Sequence, residues 1–147
     1  MKYSMRALVP VAVAAFVLSG CGSGDTPPLD DMAKCANIHF ATTPKVIAQH
    51  RTVDFGTGRT ASVVVDTTKD QLDSFEQLSA IGPLTPGVPS EWRSEQWMDA
   101  AVAESLKTDT GNTQFHDYHP TAPARWIVVH DQGGDQRRVY IKVYCEG

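Results

Sequence analysis

Arg125-Trp126-Ile127-Val128-Val129-His130-Asp131-Gln132-Gly133-Gly134-Asp135-Gln136-Arg137-Arg138-Val139-Tyr140-Ile141-Lys142-Val143-Tyr144-Cys145 holds two runs of β-branched and aromatic residues around a Gly-Gly pair. The pattern reads as two antiparallel strands, 125–130 and 137–145. Gly-Gly suits a two-residue turn with positive φ at both centres. That turn pairs Gln132 with Asp135, His130 with Arg137, Val128 with Val139 and Trp126 with Ile141. One face then carries Trp126, Val128, Val139, Ile141 and Val143, with Cys145 pointing the same way, and reads as core. The other carries Arg125, Ile127, Val129, Arg138, Tyr140 and Lys142, as expected of a sheet with one solvated side. Arg125, Arg138 and Lys142 around Tyr140 form a basic patch there. Arg and Tyr are favoured at interfaces, so this face is the candidate binding surface. The competing reading is cross-strand ion pairing with acids elsewhere on the surface.

Upstream, 59–65 is another β-branched strand, preceded by the turn Gly56-Thr57-Gly58 and by 46–55, which reads as its hairpin partner. Thr43-Pro44 before Lys45 also suits a short helix start. Thr68-Lys69-Asp70-Gln71 matches a capping box. Leu72, Phe75, Leu78 and Ile81 follow, and Gly82-Pro83 supplies a stop, so a helix is expected over 69–81. Residues 82–89 hold three prolines and two glycines and exclude a regular element. Ser90 caps a second expected helix over 91–108, with Trp97, Met98, Ala101, Val102 and Leu106 on its apolar side. Trp92, in its first turn, is expected to be partly exposed and joins the candidate binding surface. Residues 113–124 read as a loop. The order β-β-α-α-β-β predicts an α+β fold, a small, mostly antiparallel sheet with two helices packed on one face.

Candidate chemistry is sparse. His116 and His119 are candidate metal ligands, with Asp117 as a third ligand or orienter, in a small envelope hydrolase or metal-dependent enzyme. The diagnostic zinc spacings are absent, and the alternative is a polar cover over the core edge. His130-Asp131 would need a hydroxyl partner, and no nucleophile-elbow motif is present. Glu91, Glu95 and Asp99 recur on one side of the second expected helix and read as a solvated face. No pattern asks for a cofactor, and a non-enzymatic domain is the favoured reading.

The N-terminal segment places the protein. Lys2 and Arg6 precede an uncharged run from Ala7 to Leu18. This is the layout of an export signal. At ~1.5 Å per residue it reaches about 18 Å, short of a ~30 Å hydrocarbon core. Leu18-Ser19-Gly20-Cys21 follows. It resembles the lipobox of bacterial lipoproteins at all four positions, a resemblance confined to residues 1–21; no family is recognised for the rest. It implies cleavage before Cys21 and acylation of Cys21, anchoring the chain to a membrane. Gly22, where Asp would signal retention, implies the outer membrane facing the periplasm in a Gram-negative host, and otherwise the outer face of the cell membrane.

The expected organisation is a signal peptide over 1–20, a Gly/Pro-rich flexible tether over 21–33 and one globular domain over 34–147. Beyond residue 20 there are eleven basic and 17 acidic residues, a net charge of −6 that disfavours nucleic acid as a partner. With Cys21 assigned to lipid, Cys35 and Cys145 remain as the one possible disulfide, in a compartment that permits it. The expected function is therefore a lipid-anchored, non-enzymatic binding, accessory or inhibitor-type domain that recognises an envelope protein or polymer.

Overall fold

Val63-Val64-Val65 lie consecutively on one strand, and all three are fully buried. Successive strand side chains point to opposite faces, so this sheet must be covered on both sides. The computed structural model describes residues 27–53, 58–94, 100–119 and 122–146. The valines belong to β2 (Gly58–Thr68), which pairs antiparallel with β1 (Lys45–Val53) and β6 (Gln136–Glu146). Beyond β6 follow β5 (Ala122–Asp131), β4 (Asn112–His119) and the short β3 (Thr85–Pro86). The sheet order is β1-β2-β6-β5-β4-β3. The expected β1–β2 hairpin forms; Gly56 and Thr57 of its turn lie outside the described residues.

Helices α1 (Pro28–Ala36) and α2 (Lys69–Leu78) cover the first face. Met32, Ala36, Leu72 and Phe75 pack there on Ala61, Val63, Val65, Ile127, Val129, Val139, Ile141 and Val143. The capping box of α2 is present: Thr68 Oγ1 accepts from Gln71 N, and Gln71 Oε1 accepts from Thr68 N. Lys69 N, one of the donors a helix start leaves over, donates to the carbonyl of Asp135 in the β5–β6 loop at 3.0 Å. Helix α2 stops three residues before the expected Ile81. Ala80 takes a left-handed φ of 50°, and Ile81 N closes back on Glu76 O at 2.8 Å.

The expected tether over 21–33 requires correction, because α1 begins at Pro28 and Met32 in its middle is fully buried. Pro at the first helical position suits helix entry. Asp31 fixes the helix to the sheet, accepting from Arg51 on β1 and from Arg59 Nε on β2 at 2.9 Å. Burial pushes the Asp31 carboxyl upward, but the two guanidiniums outweigh it and hold the group below its ordinary value. One turn on, Cys35 faces Cys145 of β6, with Cα atoms 5.8 Å apart, at disulfide distance as expected.

The second face is also a core. A segment made of a 3₁₀ turn (Ser90–Arg93), α3 (Ala100–Ala103) and a second 3₁₀ turn (Glu104–Lys107) crosses it. Val88, Trp92 and Leu106 pack there on Val64, Val128 and Tyr140. Among the described residues of the expected helix 91–108, only Ala100–Ala103 are α-helical, and Ser90–Arg93 and Glu104–Lys107 are 3₁₀ turns. Asn112 of β4 donates to the carbonyls of Ser105 at 2.7 Å and Thr108 at 2.8 Å, which ends the segment in tight geometry. The expected loop 113–124 is likewise corrected: most of it is β4, paired with β5 and β3, and the start of β5. The fold is α+β as expected, but the order β-β-α-α-β-β is not observed. Helix α1 precedes β1, and β3 and β4 are additional strands.

Candidate functional site

The β5–β6 hairpin was expected to display the binding surface, and its register decides what it displays. Asp131 Oδ1 accepts from Gly133 N at 2.8 Å and from Arg137 Nη1 at 3.0 Å. Gln132 N donates to Gln136 O, and Gln136 N to Gly133 O. These bonds draw Asp135 into a longer turn. The pairs become Val129↔Val139, Ile127↔Ile141 and Asp131↔Arg137, one residue away from the expected register. A slip of one residue turns a strand over. The inward face of β6 is as expected, whereas the two faces of β5 are exchanged.

Arg125 is consequently separated from the other patch residues. It lies on the α1/α2 face and is 9% exposed. Its Nη1 donates to Ser79 O at 2.6 Å and to Ala36 O at 3.5 Å, and its Nη2 to Ala80 O at 3.4 Å. Those carbonyls belong to the C-terminal ends of both helices, where a cation is favoured by orphan acceptors and helix dipoles. Asp117, directly opposite on β4, completes the set at 2.5 Å from Nη2. Arg125 also lies 5.6 Å from the Phe115 ring centroid. A depression of about 450 Å³ beside this cluster is lined by Lys34, Asn37, Asp117, Pro123 and Arg125, among others. Its guanidinium and carboxylate are already paired with each other.

Arg138, Tyr140, Lys142 and Trp92 lie on the opposite face. Tyr140 is 0% exposed and Trp92 4%, so neither presents a surface, and Trp92 corrects the expectation of partial exposure. The Tyr140 hydroxyl lies 2.6 Å from Ser105 Oγ and donates to Val102 O at 2.5 Å, binding the covering segment to the sheet. Burial pushes the Tyr140 phenol upward. Arg138 makes a two-point pair with Asp66 of β2, at 2.7 and 3.0 Å, which raises its pKa. Lys142 Nζ lies 5.5 Å from the Trp92 ring centroid. The expected basic patch is therefore two structural clusters on opposite faces, joined by no common surface.

The candidate metal loop is also divided. His116 and Asp117 are consecutive on β4 and point to opposite faces. Asp117 is taken by Arg125, whereas His116 stacks on Trp126, ring centroids 4.9 Å apart and planes 12° apart. The side chain of His119 lies outside the described residues, as do Glu95, Trp97, Met98 and Asp99. Among the described residues, no three His, Cys, Asp or Glu side chains are grouped to hold a metal. His130 Nδ1 is 2.9 Å from Asn112 Oδ1, a contact that secures the strand carrying the cap of the covering segment. Burial, and then Arg138, lower the His130 pKa. Cys21 lies outside the described residues.

The sequence reading missed a stacked His116–Trp126 pair on the second face. His116 is exposed and Trp126 half-buried beside it. Tyr118, two residues along β4 from His116, is 66% exposed. Tyr144 is half-buried on β6, its ring lying over Gly58 so closely that a Cβ there would meet the phenol. Lys142 lies opposite Trp126 in the ladder. The His116–Trp126 pair becomes legible once 113–119 is read as a strand, which sets His116 opposite Trp126; a register shift follows between Asp117 and His119. Comparison with protein-family models, curated proteins and solved structures finds no match to this chain.

Proposed function

We propose that this is a lipid-anchored envelope protein, held by acylated Cys21, whose domain is a non-enzymatic binding or accessory module for an envelope protein or polymer. The observation that carries the reading is the lipobox-like Leu18-Ser19-Gly20-Cys21 after an uncharged run, with the first helix starting at Pro28, seven residues beyond Cys21. Two acyl chains hold a protein on a bilayer without help from the folded domain. The Cys35 and Cys145 sulfurs at bonding distance suit an exported, oxidising setting. The anchor leaves the exposed surface of the domain free to serve recognition. Intact-mass measurement of the protein extracted from membranes tests the anchor. The expected mass is that of residues 21–147 plus acyl chains, and Cys21→Ser abolishes both cleavage and lipid. An unmodified Cys21 in a membrane-extracted chain refutes the proposal.

A further inference from the structure

We propose that Cys35 is a thiol–disulfide exchange site for a small anionic thiol, with Cys145 as the sulfur that leaves and returns. The proposal does not rest on the anchor reading, because both sulfurs belong to the described domain.

The first support is access. Cys145 is 0% exposed on the inward face of β6, whereas Cys35 on α1 is half-buried. Cys35 also lines the depression of about 450 Å³ between the end of α1 and strands β4 and β5, with Ala33, Lys34, Asn37, Asp117 and Arg125 around it. Ligand pockets run from about 300 to 1,000 Å³, so the space matches a thiol of tripeptide size. Exchange depends on which sulfur a thiolate can reach. Cys35 meets that condition and Cys145 does not. The second support is charge. Arg125 donates to the carbonyl of Ala36 and pairs with Asp117, so those two charges balance each other. Lys34, exposed in the last turn of α1, is the remaining cation among the described residues that line the depression. Its charge raises the local concentration of an anion and favours the thiolate form beside it. The third is a helix that stays in place when the sulfur bond opens. Asp31 is paired with Arg51 and Arg59, and Met32 and Ala36 pack on the sheet. Cys145 is therefore kept against Cys35 while a mixed disulfide lasts.

The step balances without an added oxidant. The thiolate R–S⁻ attacks Cys35 Sγ, and the Sγ–Sγ bond breaks. Its electron pair goes to Cys145 Sγ, which takes a proton from water. The product has one R–S–Sγ bond at Cys35 and one thiol at Cys145, so the number of disulfides is unchanged. In the return step the Cys145 thiolate attacks Cys35 Sγ and expels R–S⁻.

The test uses the full chain carrying Cys21→Ser, so that Cys35 and Cys145 are the cysteines left and acylation does not enter. The oxidised protein is mixed with reduced glutathione, quenched early with acid and mapped by peptide mass. The expected result is glutathione on Cys35 in about tenfold excess or more over Cys145. The single-cysteine forms, treated with oxidised glutathione, should follow the same order: Cys35 in the Cys145→Ser protein is modified about tenfold faster than Cys145 in the Cys35→Ser protein. If circular dichroism shows either form unfolded, the distribution in the two-cysteine protein decides. Lys34→Glu should slow attack by glutathione about threefold and leave attack by 2-mercaptoethylamine, whose thiolate form has no net charge, unchanged. Attack through the unfolded chain reaches both sulfurs alike, so equal amounts overturn the proposal, as does an excess on Cys145 or no adduct at either. Lys34→Glu slowing both thiols alike, or neither, overturns approach through the depression.

Discussion

Replacing Arg125 by Met removes the group that serves two helix ends at once. The methionine stem keeps most of the buried volume, so the loss is electrostatic. Arg125 donates to Ser79 O, Ala36 O and Ala80 O and pairs with Asp117. Ser79 O keeps one other donor, Asn37 Nδ2 at 3.2 Å, so it is not wholly orphaned. Leaving a buried acceptor short costs about 1–3 kcal/mol, and stranding one member of a buried ion pair costs about 3–5 kcal/mol. Asp117 is 22% exposed on its side chain and recovers part of its solvation, which places the total near the lower figure, about 3 kcal/mol. Against a typical domain stability of about 5–15 kcal/mol, that is a substantial share. Urea unfolding of the oxidised protein, followed by tryptophan fluorescence, should show the midpoint falling with the slope unchanged. Adding Asp117→Asn to Arg125→Met should recover about 1 kcal/mol by removing the stranded charge. A loss under about 1 kcal/mol for Arg125→Met would refute the helix-end role, as would a double variant no more stable than the single one.

Ala80 holds a left-handed φ of 50°, so Ala80→Gly should raise stability by up to about 1 kcal/mol in the same assay. His130 contributes a pH dependence of known sign. Its folded pKa is lowered by burial and by Arg138, so the unfolded chain binds the proton more readily. Stability is then full above the ordinary value near 6.5 and declines as pH falls below it. His130→Gln should flatten the unfolding midpoint between about pH 6.5 and 5. Reduction should cost about 4–5 kcal/mol in the chain-entropy model, because Cys35 and Cys145 are 110 residues apart. Thermal unfolding with and without reductant measures it, and a Cys35→Ser protein unmoved by reductant is the control.

The parts of the fold written in local chemistry were legible. Thr68 and Gln71 announced the start of α2, and the β-branched run around Val63 to Val65 announced β2. The hairpin register was not legible, for a specific reason. Trp126 to Val129 are apolar without alternation, because β5 serves a core on each face. Hydrophobic patterning therefore cannot choose between two registers one residue apart, and the deciding bonds come from Asp131 reaching into its own turn. The covering segment failed differently. Leu106 and Val102 have helical spacing, but residues 104–107 close as a 3₁₀ turn, and Asn112 of β4 donates to the carbonyls at its end. The candidate site depended on both errors. Tyr140 and Trp92 looked like surface only while the second face lacked its cover, and His116 looked like a loop ligand only while β4 was unseen. Asp31 escaped notice because its two arginine partners come from strands folded against it.

The central pair of the sheet has a consequence for when the domain can form. Strand β2 lies between β1 and β6, and β6 is the last described element to be synthesised. The β1–β2 hairpin can form early, but its valines stay half-covered until β6 arrives, and long-range pairing of this kind is slow. The guanidinium that finishes both helices also arrives late, on β5. A chain built this way remains open while most of its length is made. It closes only when the final strand inserts into the middle of the sheet.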